Sequence, residues 1–476
     1  MTPDQVVIVS VVLLLVFLVA RVPVAMSLIV ASAVGIWLLD GTTTLLANLG
    51  QVPFSATARY TLAVVPLFVL MGIFARHARM GTDVYDLVSR YLAWLPGGIG
   101  VATVSACAAF AAVSGSSVAT VVTVGRISMQ EMRRFGYPDY LAAGIIACAG
   151  TLGVLIPPSI MLVIYGIVAG VSVGQLLIAG IIPGVMTALA YIAWIMILGR
   201  KLISTPSAAL VQAPTGVPAT PPADRNVPLH AATPAVQLGT VEHPDVTTHQ
   251  PHPGAVATVF SIGRIAVVFG VIIGGIYFGV VTTTEAAALG AVATLVFLLV
   301  EVARGRVRLR VVTEALRETS SLLGMVFLLF IGASLFAFLL VASGTPRRIA
   351  ELVTELSFHP MLIIIGLLLV FIPIGMFLDG ISTLLILIPL MTPLVVELGY
   401  SPLWFGILAI KMIEIGLVTP PVGLNAFALV GAVKDLTLST TFKGIMLILP
   451  MELVMIAVLL IFPETVLWLP RTLGFE

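Results

Sequence analysis

Apolar residues run along this chain in long blocks separated by short polar breaks, most of them near the ~20 residues a helix needs to cross a bilayer. The first block is Val6 to Ala20, ended by Arg21 and Pro23, followed by Val24 to Leu39 and Tyr60 to Phe74. Gly97 to Val113, Leu141 to Ile156 and Leu176 to Leu198 complete the first half. The second half gives Ile262 to Val280, Thr284 to Val300, Leu322 to Val341, Met361 to Leu378, Leu403 to Val418 and Gly444 to Phe462. Window reasoning predicts about twelve spans. They are expected to be helices, because backbone groups in lipid must pair within their own segment. The first block lacks a positive flank and a cleavage pattern, so it reads as a retained membrane helix and not a signal peptide.

One stretch departs from the pattern. From about Ser204 to Gly254 the chain is rich in Pro, Ala, Thr, Gln and His without apolar periodicity, a composition that buries no core and reads as a disordered linker. It divides the chain into a first membrane half, 1–202, a linker, 203–256, and a second membrane half, 257–476. His230, His243, His249 and His252 lie in it without cysteines or helical spacing, which favours solvated side chains over a metal site. Arg200 and Lys201 precede the linker, Arg264 follows it, and the next helical pair returns to Arg304, Arg306, Arg308 and Arg310. The positive-inside rule puts all of these, and Arg76, His77 and Arg79, on the cytoplasmic side.

The two halves share an internal repeat. Gly136-Tyr137, Gly153 and Pro157-Pro158 recur 263 residues later as Gly399-Tyr400, Gly416 and Pro420-Pro421. At the same offset Ser114-Gly115-Ser116-Ser117 falls opposite Phe377-Leu378-Asp379-Gly380, and Thr120 opposite Thr383. A common register over this length predicts two structural repeats.

The paired motifs point to a site. Pro-Pro inside an apolar run removes two amide donors and clashes with the preceding turn, so the helix breaks there. At membrane depth a break is tolerated only where protein or a water-filled cavity covers it. Unwound carbonyls and half-helix ends then become ligands for Na⁺ and for anionic groups. The polar segments VSGSS and LDGIST read as tips of re-entrant hairpins, whose hydroxyls and free carbonyls suit a hard cation. Candidate substrate or ion ligands are therefore Ser114, Gly115, Ser116, Ser117 and Thr120 at the first tip, and Asp379, Ser382 and Thr383 at the second. Pro157, Pro158 and Ser159 join them at the first break, and Thr419, Pro420, Pro421, Gly423 and Asn425 at the second. Na⁺ is expected among Ser114, Ser116, Asp379 and Thr419. Simpler structural roles compete: the serines as turn formers, Asp379 as an N-cap, Glu285 with Thr282 as a capping box, and Lys411 with Glu414 as a self-neutralising i,i+3 pair.

Composition sharpens the class. Of 476 residues 59% are hydrophobic and 9% charged, against about 25% charged in a soluble domain. A net charge of +1 without a basic patch argues against nucleic acid. Cys107 and Cys148 alone give no disulfide framework or cysteine-rich zinc site, and both are assigned to packing. HExxH and GxxxxGK[ST] are absent, and Gly170-Val171-Ser172-Val173-Gly174, which has the GxSxG spacing, has no clustered His-Asp constellation with it, so neither an intramembrane enzyme nor an ATP-driven pump is expected. A channel would need a continuous pore lined by polar rings; duplicated broken helices favour alternating access.

AAVSGSSVATVVTVG, GTLGVLIPPSIMLVIYG, GGIYFGVVTTTEAAA, GMFLDGISTLLILIPLMTPL and EIGLVTPPVGLNAF together resemble the large membrane subunit of TRAP transporters, the tripartite ATP-independent periplasmic (DctM-like) family. The resemblance covers nearly all of the chain outside the linker. It implies an all-α polytopic membrane protein with inverted repeats, re-entrant hairpins and broken helices, built as an elevator-type scaffold and transport domain. It also implies Na⁺-driven import of small carboxylates such as C4-dicarboxylates or sugar acids across the bacterial inner membrane. The implied partners are a small four-helix membrane subunit and a periplasmic substrate-binding protein. Two features depart from the family pattern: the length of the linker, and Arg126 within TVGRIS, where a small or polar residue is expected. A single-component sodium/dicarboxylate symporter is the alternative.

Overall fold

The computed structural model describes residues 1–92, 94–202, 263–348, 351 and 359–474, and among these there are helices and no strands. The linker and its four histidines lie outside the described residues. Among the described residues eight helices are long and apolar enough to cross a membrane, or nine if the bent pair Asp139–Leu155 and Ile160–Ala169 is one span. This is fewer than the apolar runs suggest, for a physical reason. Several runs fold as helices of 17 residues or fewer, such as Pro3–Val19, Gly98–Ser114 and Pro402–Val418; at 1.5 Å per residue these fall short of a ~30 Å hydrocarbon core.

The first half opens with α1 (Pro3–Val19) and α2 (Val24–Thr57). A left-handed Gly41 (φ +82°) breaks α2 into a span and a trailing arm. Then come α3 (Val64–His77), α4 (Met80–Leu92), α5 (Gly98–Ser114) and α6 (Ser117–Arg134). A broken element of α7 (Asp139–Ala149), α8 (Leu152–Leu155) and α9 (Ile160–Ala169) leads to α10 (Val173–Ala179) and α11 (Ile181–Leu202). The second half starts with α12 (Gly263–Tyr277), α13 (Thr283–Ala303) and α14 (Arg310–Ala342). It continues through α15 (Pro360–Phe377), α16 (Gly380–Glu397), α17 (Pro402–Val418), α18 (Leu424–Ala432), α19 (Leu438–Ile461) and α20 (Glu464–Thr472).

The repeat seen in the sequence is carried by the backbone. α6 and α16 begin and end at positions 263 residues apart, and α17 spans the counterpart of α7 plus α8. Gly136 and Gly399 both turn the chain at φ +79°. Both Pro-Pro bonds are cis.

Packing sorts the helices. α14 lies along α2 and α3, and α13 packs on α3. The repeated elements pack among themselves and trade partners: α18 rests on α6 and α7 of the other repeat, while α9 rests on α16 and α17. Small residues permit the tightest approach. A Cβ on Gly444 of α19 would stand 1.7 Å from the Tyr140 carbonyl oxygen of α7, so only glycine fits. α17 is buried on every side from Leu403 to Val418, which is why its sequence shows no polar face.

Arginines gather at one end of the bundle. Buried Glu301 at the close of α13 accepts Arg264, Arg304 and Arg306 at 3.2, 3.1 and 3.3 Å. Arg264 also pairs with Asp83 of α4, and Arg76 of α3 with Glu318 of α14. Burial pushes the Asp83 carboxyl above the ordinary range against the opposing pull of Arg264. At the other end of α13, Thr282 and Glu285 form the expected capping box, the Thr282 hydroxyl accepting from the Glu285 amide and the Glu285 carboxylate accepting from the Thr282 amide.

Candidate functional site

The first hairpin is α5 and α6, and its tip is the turn between them. Ser114 closes α5, Gly115 turns left-handed at φ +60°, and Ser116 caps α6 by accepting from the Ala119 amide. Ser114 Oγ and Thr120 Oγ1 lie 3.0 Å apart, and the Thr120 hydroxyl donates to the Ser116 carbonyl at 2.8 Å. Ser114, Ser117 and Thr120 are buried and Ser116 half-buried. Gly115 is demanded twice over. Its φ is costly for any side chain, and a Cβ there would stand 2.8 Å from the Pro158 carbonyl oxygen. On the outer side, a Cβ on Gly72 of α3 would stand 2.6 Å from the Ser114 carbonyl oxygen. The tip is thus held between α3 and the first break.

At that break Pro157, Pro158 and Ser159 are all buried, and Ser159 caps α9 by accepting from the Leu162 amide at 3.3 Å. Proline supplies no amide to pair, so a buried break leaves fewer orphan donors than another sequence would.

The second hairpin, α15 and α16, turns without a left-handed residue. Asp379 caps α16: its Oδ2 accepts from the Ile381 and Ser382 amides at 3.0 and 3.1 Å, and Ser382 Oγ donates to its Oδ1. The Thr383 hydroxyl donates to the Asp379 carbonyl at 3.0 Å. The structural N-cap role is therefore realised, and a half-buried carboxylate stands at the head of a helix beside buried Ser382 and Thr383.

The second break is more open. Thr419 and Pro420 are half-buried and Pro421 is exposed. Thr419 donates its hydroxyl back to the Ile415 carbonyl, and Gly423 turns at φ +58° into α18. Asn425 is fully buried; its Nδ2 donates to the Ala147 carbonyl of α7 at 3.4 Å, and its Oδ1 has no hydrogen-bond partner.

The first turn of α9 joins the two tips. A Cβ on Gly115 would lie 3.3 Å from the Ile160 amide, and one on Gly380 would lie 2.7 Å from Met161 Cε. The hairpin tips therefore flank neighbouring residues of one half-helix. The second break meets the first repeat separately, through Asn425 and α7. Hydroxyls, a carboxylate and helix ends are thus brought to one region, a set that can receive a cation and an anion together.

Sequence reasoning missed one cluster beside this region. Lys411 does pair with Glu414, at 3.0 Å, but it also meets Glu452 of α19 at 2.7 Å, and the Tyr191 hydroxyl of α11 donates to Glu452. The available signal was Glu452 itself, a lone acid in an apolar block. Cys107 and Cys148 are buried. Arg126 of α6 is exposed.

The sequence model described as "Tripartite ATP-independent periplasmic transporter, DctM component" matches residues 11–465. A C4-dicarboxylate TRAP transporter large permease protein of Pseudomonas aeruginosa is 34% identical over 423 residues, covering 89% of each chain. A sialic acid TRAP transporter large permease protein of Vibrio cholerae is 28% identical over 95% of each chain. In fold, the chain resembles the crystal structure of the Alcanivorax borkumensis YdaH transporter, described as having an unusual topology. The TM-score is 0.62 at 13% sequence identity, over 98% of this chain and 99% of that one.

Proposed function

The chain belongs to the DctM component family of the tripartite ATP-independent periplasmic transporters, and from that premise we propose that it is the large permease subunit of a Na⁺-coupled importer of small organic acids. The observation that carries this reading is the meeting of both hairpin tips on the first turn of α9. Hydroxyl and carbonyl oxygens at the first tip, with Asp379 at the second, supply the oxygen ligands a hard cation needs. The capped starts of α6, α9 and α16 add positive helix ends for a carboxylate.

On this reading Ser114, Ser116, Asp379 and Thr419 are the Na⁺ ligands. The remaining tip and break residues, Asn425 included, serve the substrate. The helices packed on α14, α2 and α3 form the scaffold, and the repeated elements move against it as an elevator. The chain sits in the inner membrane with the arginine end in the cytoplasm. A small membrane subunit and a periplasmic binding protein complete the system, and the binding protein supplies solute capture and much of the selectivity. C4-dicarboxylates and sugar acids are the substrate class favoured by the relatives' names.

Reconstitution in proteoliposomes tests the whole reading. Uptake of a C4-dicarboxylate or a sugar acid is expected only with this chain, the small subunit and the binding protein together, under an inward Na⁺ gradient. Full Na⁺-driven uptake by this chain alone would replace the tripartite reading with a single-component symporter.

A further inference from the structure

Lys411, Glu414, Glu452 and Tyr191 make a closed polar cluster where α17, α19 and α11 meet. The three charged side chains are 0%, 1% and 2% exposed. Their oxygens are not equally served. Glu452 receives the Tyr191 hydroxyl on Oε1, and its Oε2 lies 2.7 Å from the Lys411 ammonium, an ion-pair contact without hydrogen-bond alignment. Glu414 accepts Lys411 on Oε2 at 3.0 Å, while its Oε1 is buried with no hydrogen-bond partner. Among the described residues, the Cys148 thiol of α7 also lies within electrostatic reach of Lys411, Glu452 and Tyr191.

Two ionised carboxylates against one ammonium would leave a full negative charge in a place closed to water. Proteins avoid that cost by neutralising a group or by binding a counter-ion. A hard metal cation does not fit, because it asks for six or more oxygen ligands and the ammonium already occupies the space between the carboxylates. Among the described residues no group of three or more His, Cys, Asp and Glu is arranged around a metal position.

We propose that the cluster is a proton site: it holds one proton, carried on Glu414, so that the ionised Lys411 and Glu452 balance each other. The placement follows from the contacts. The carboxylate whose oxygens meet the Tyr191 hydroxyl and the Lys411 ammonium keeps its charge, and the one with an oxygen that meets neither takes the proton. The site lies on α17, five residues before the break at Thr419, and it ties α11 to α19, the last long helices of the two repeats. Unloading the proton would leave an uncompensated buried charge on α17 near the second break.

Infrared difference spectroscopy of the full-length chain in lipid bilayers, titrated from neutral to alkaline pH with H₂O/D₂O comparison, reads the proton directly. The carbonyl stretch of a buried protonated carboxylic acid is expected in the wild type at neutral pH. It is lost in Glu414→Gln and rises about two-fold in Lys411→Met, where neither carboxylate retains a cation. Absence of the band from the wild type, or its survival in Glu414→Gln, overturns the proposal. Should Glu414→Gln fail to insert, an unchanged amplitude in Lys411→Met overturns it equally. The readout needs no substrate, so it stands or falls apart from the uptake test of the transporter reading.

Discussion

At the first break Pro157, Pro158 and Ser159 are all buried, and the tip that meets them is an uncharged turn of serines around a left-handed glycine. At the second, Pro421 is exposed, Thr419 and Pro420 are half-buried, and the matching tip is a carboxylate capping its helix. The backbones agree in helix limits, in the φ of Gly136 and Gly399, and in the Pro-Pro bonds. The helix limits and Pro-Pro breaks thus correspond between the repeats, while the turns at the tips and the side chains on them differ. The neutral tip packs against backbone of α3 and of the first break, whereas the anionic one packs against the side chains of Met161 and Ile413 and is capped by Asp379.

Exchanging residues between the tips should break this comparison most sharply. Gly115→Leu installs the residue found 263 positions later, at φ +60° and against the Pro158 carbonyl. We expect it to destabilise the protein by about 3 kcal/mol and abolish uptake, since left-handed backbone and overpacking both penalise a leucine there. The reverse change, Leu378→Gly, acts on ordinary extended backbone at φ −106° and should cost about 2 kcal/mol, from backbone entropy and the lost packing of a partly buried leucine, without abolishing uptake. Thermal unfolding of both variants, with uptake in proteoliposomes, checks the contrast; equal losses would mean that the tips are equivalent after all.

Asp379→Asn comes next. Asparagine caps helices as well as aspartate, so the melting temperature should hold. Loss of the charge beside a bound cation should raise the Na⁺ concentration for half-maximal uptake about tenfold, equivalent to about 1.4 kcal/mol. An unchanged Na⁺ dependence would leave Asp379 with its capping role alone.

The smallest effects separate the breaks themselves. Ser159→Ala removes the cap of α9 from a buried position and should cost about 1 kcal/mol. Thr419→Val removes a hydroxyl that donates to a carbonyl of its own helix, and in the absence of Na⁺ its effect on stability should stay within about 0.5 kcal/mol. Denaturant or thermal melts in the same detergent decide between the two. A larger loss for Thr419→Val would mean that the open break is the more tightly held one.

Much of this site can be read from the linear chain because its signals are local. Pro157-Pro158 and Pro420-Pro421 break helices wherever they stand, Gly115 sits between two serines at a turn, and Thr282 with Glu285 caps α13 as their spacing predicts. Twelve apolar runs overstate the spans because an apolar half-helix and an apolar full span look alike until their ends are placed. Glu452 was passed over because its partners Lys411 and Tyr191 come from two other helices.

The sequence by itself determined a polytopic helical membrane protein, its two repeats with their register, and the breaks and turns that mark the candidate site, since hydrophobic length, proline and glycine act on their own neighbourhood. Only the tertiary structure decided that α9 and α18 pack on the opposite repeats, that Ile160 and Met161 bring the two tips together, and that one tip packs on backbone while the other packs on side chains. It alone closed Lys411, Glu414 and Glu452 into a buried cluster with unequal charges. Those outcomes depend on which helix faces meet. In a chain whose helices are apolar nearly all round, hydrophobic pattern does not choose the facing partner; close approach at residues such as Gly144 and Gly444 does.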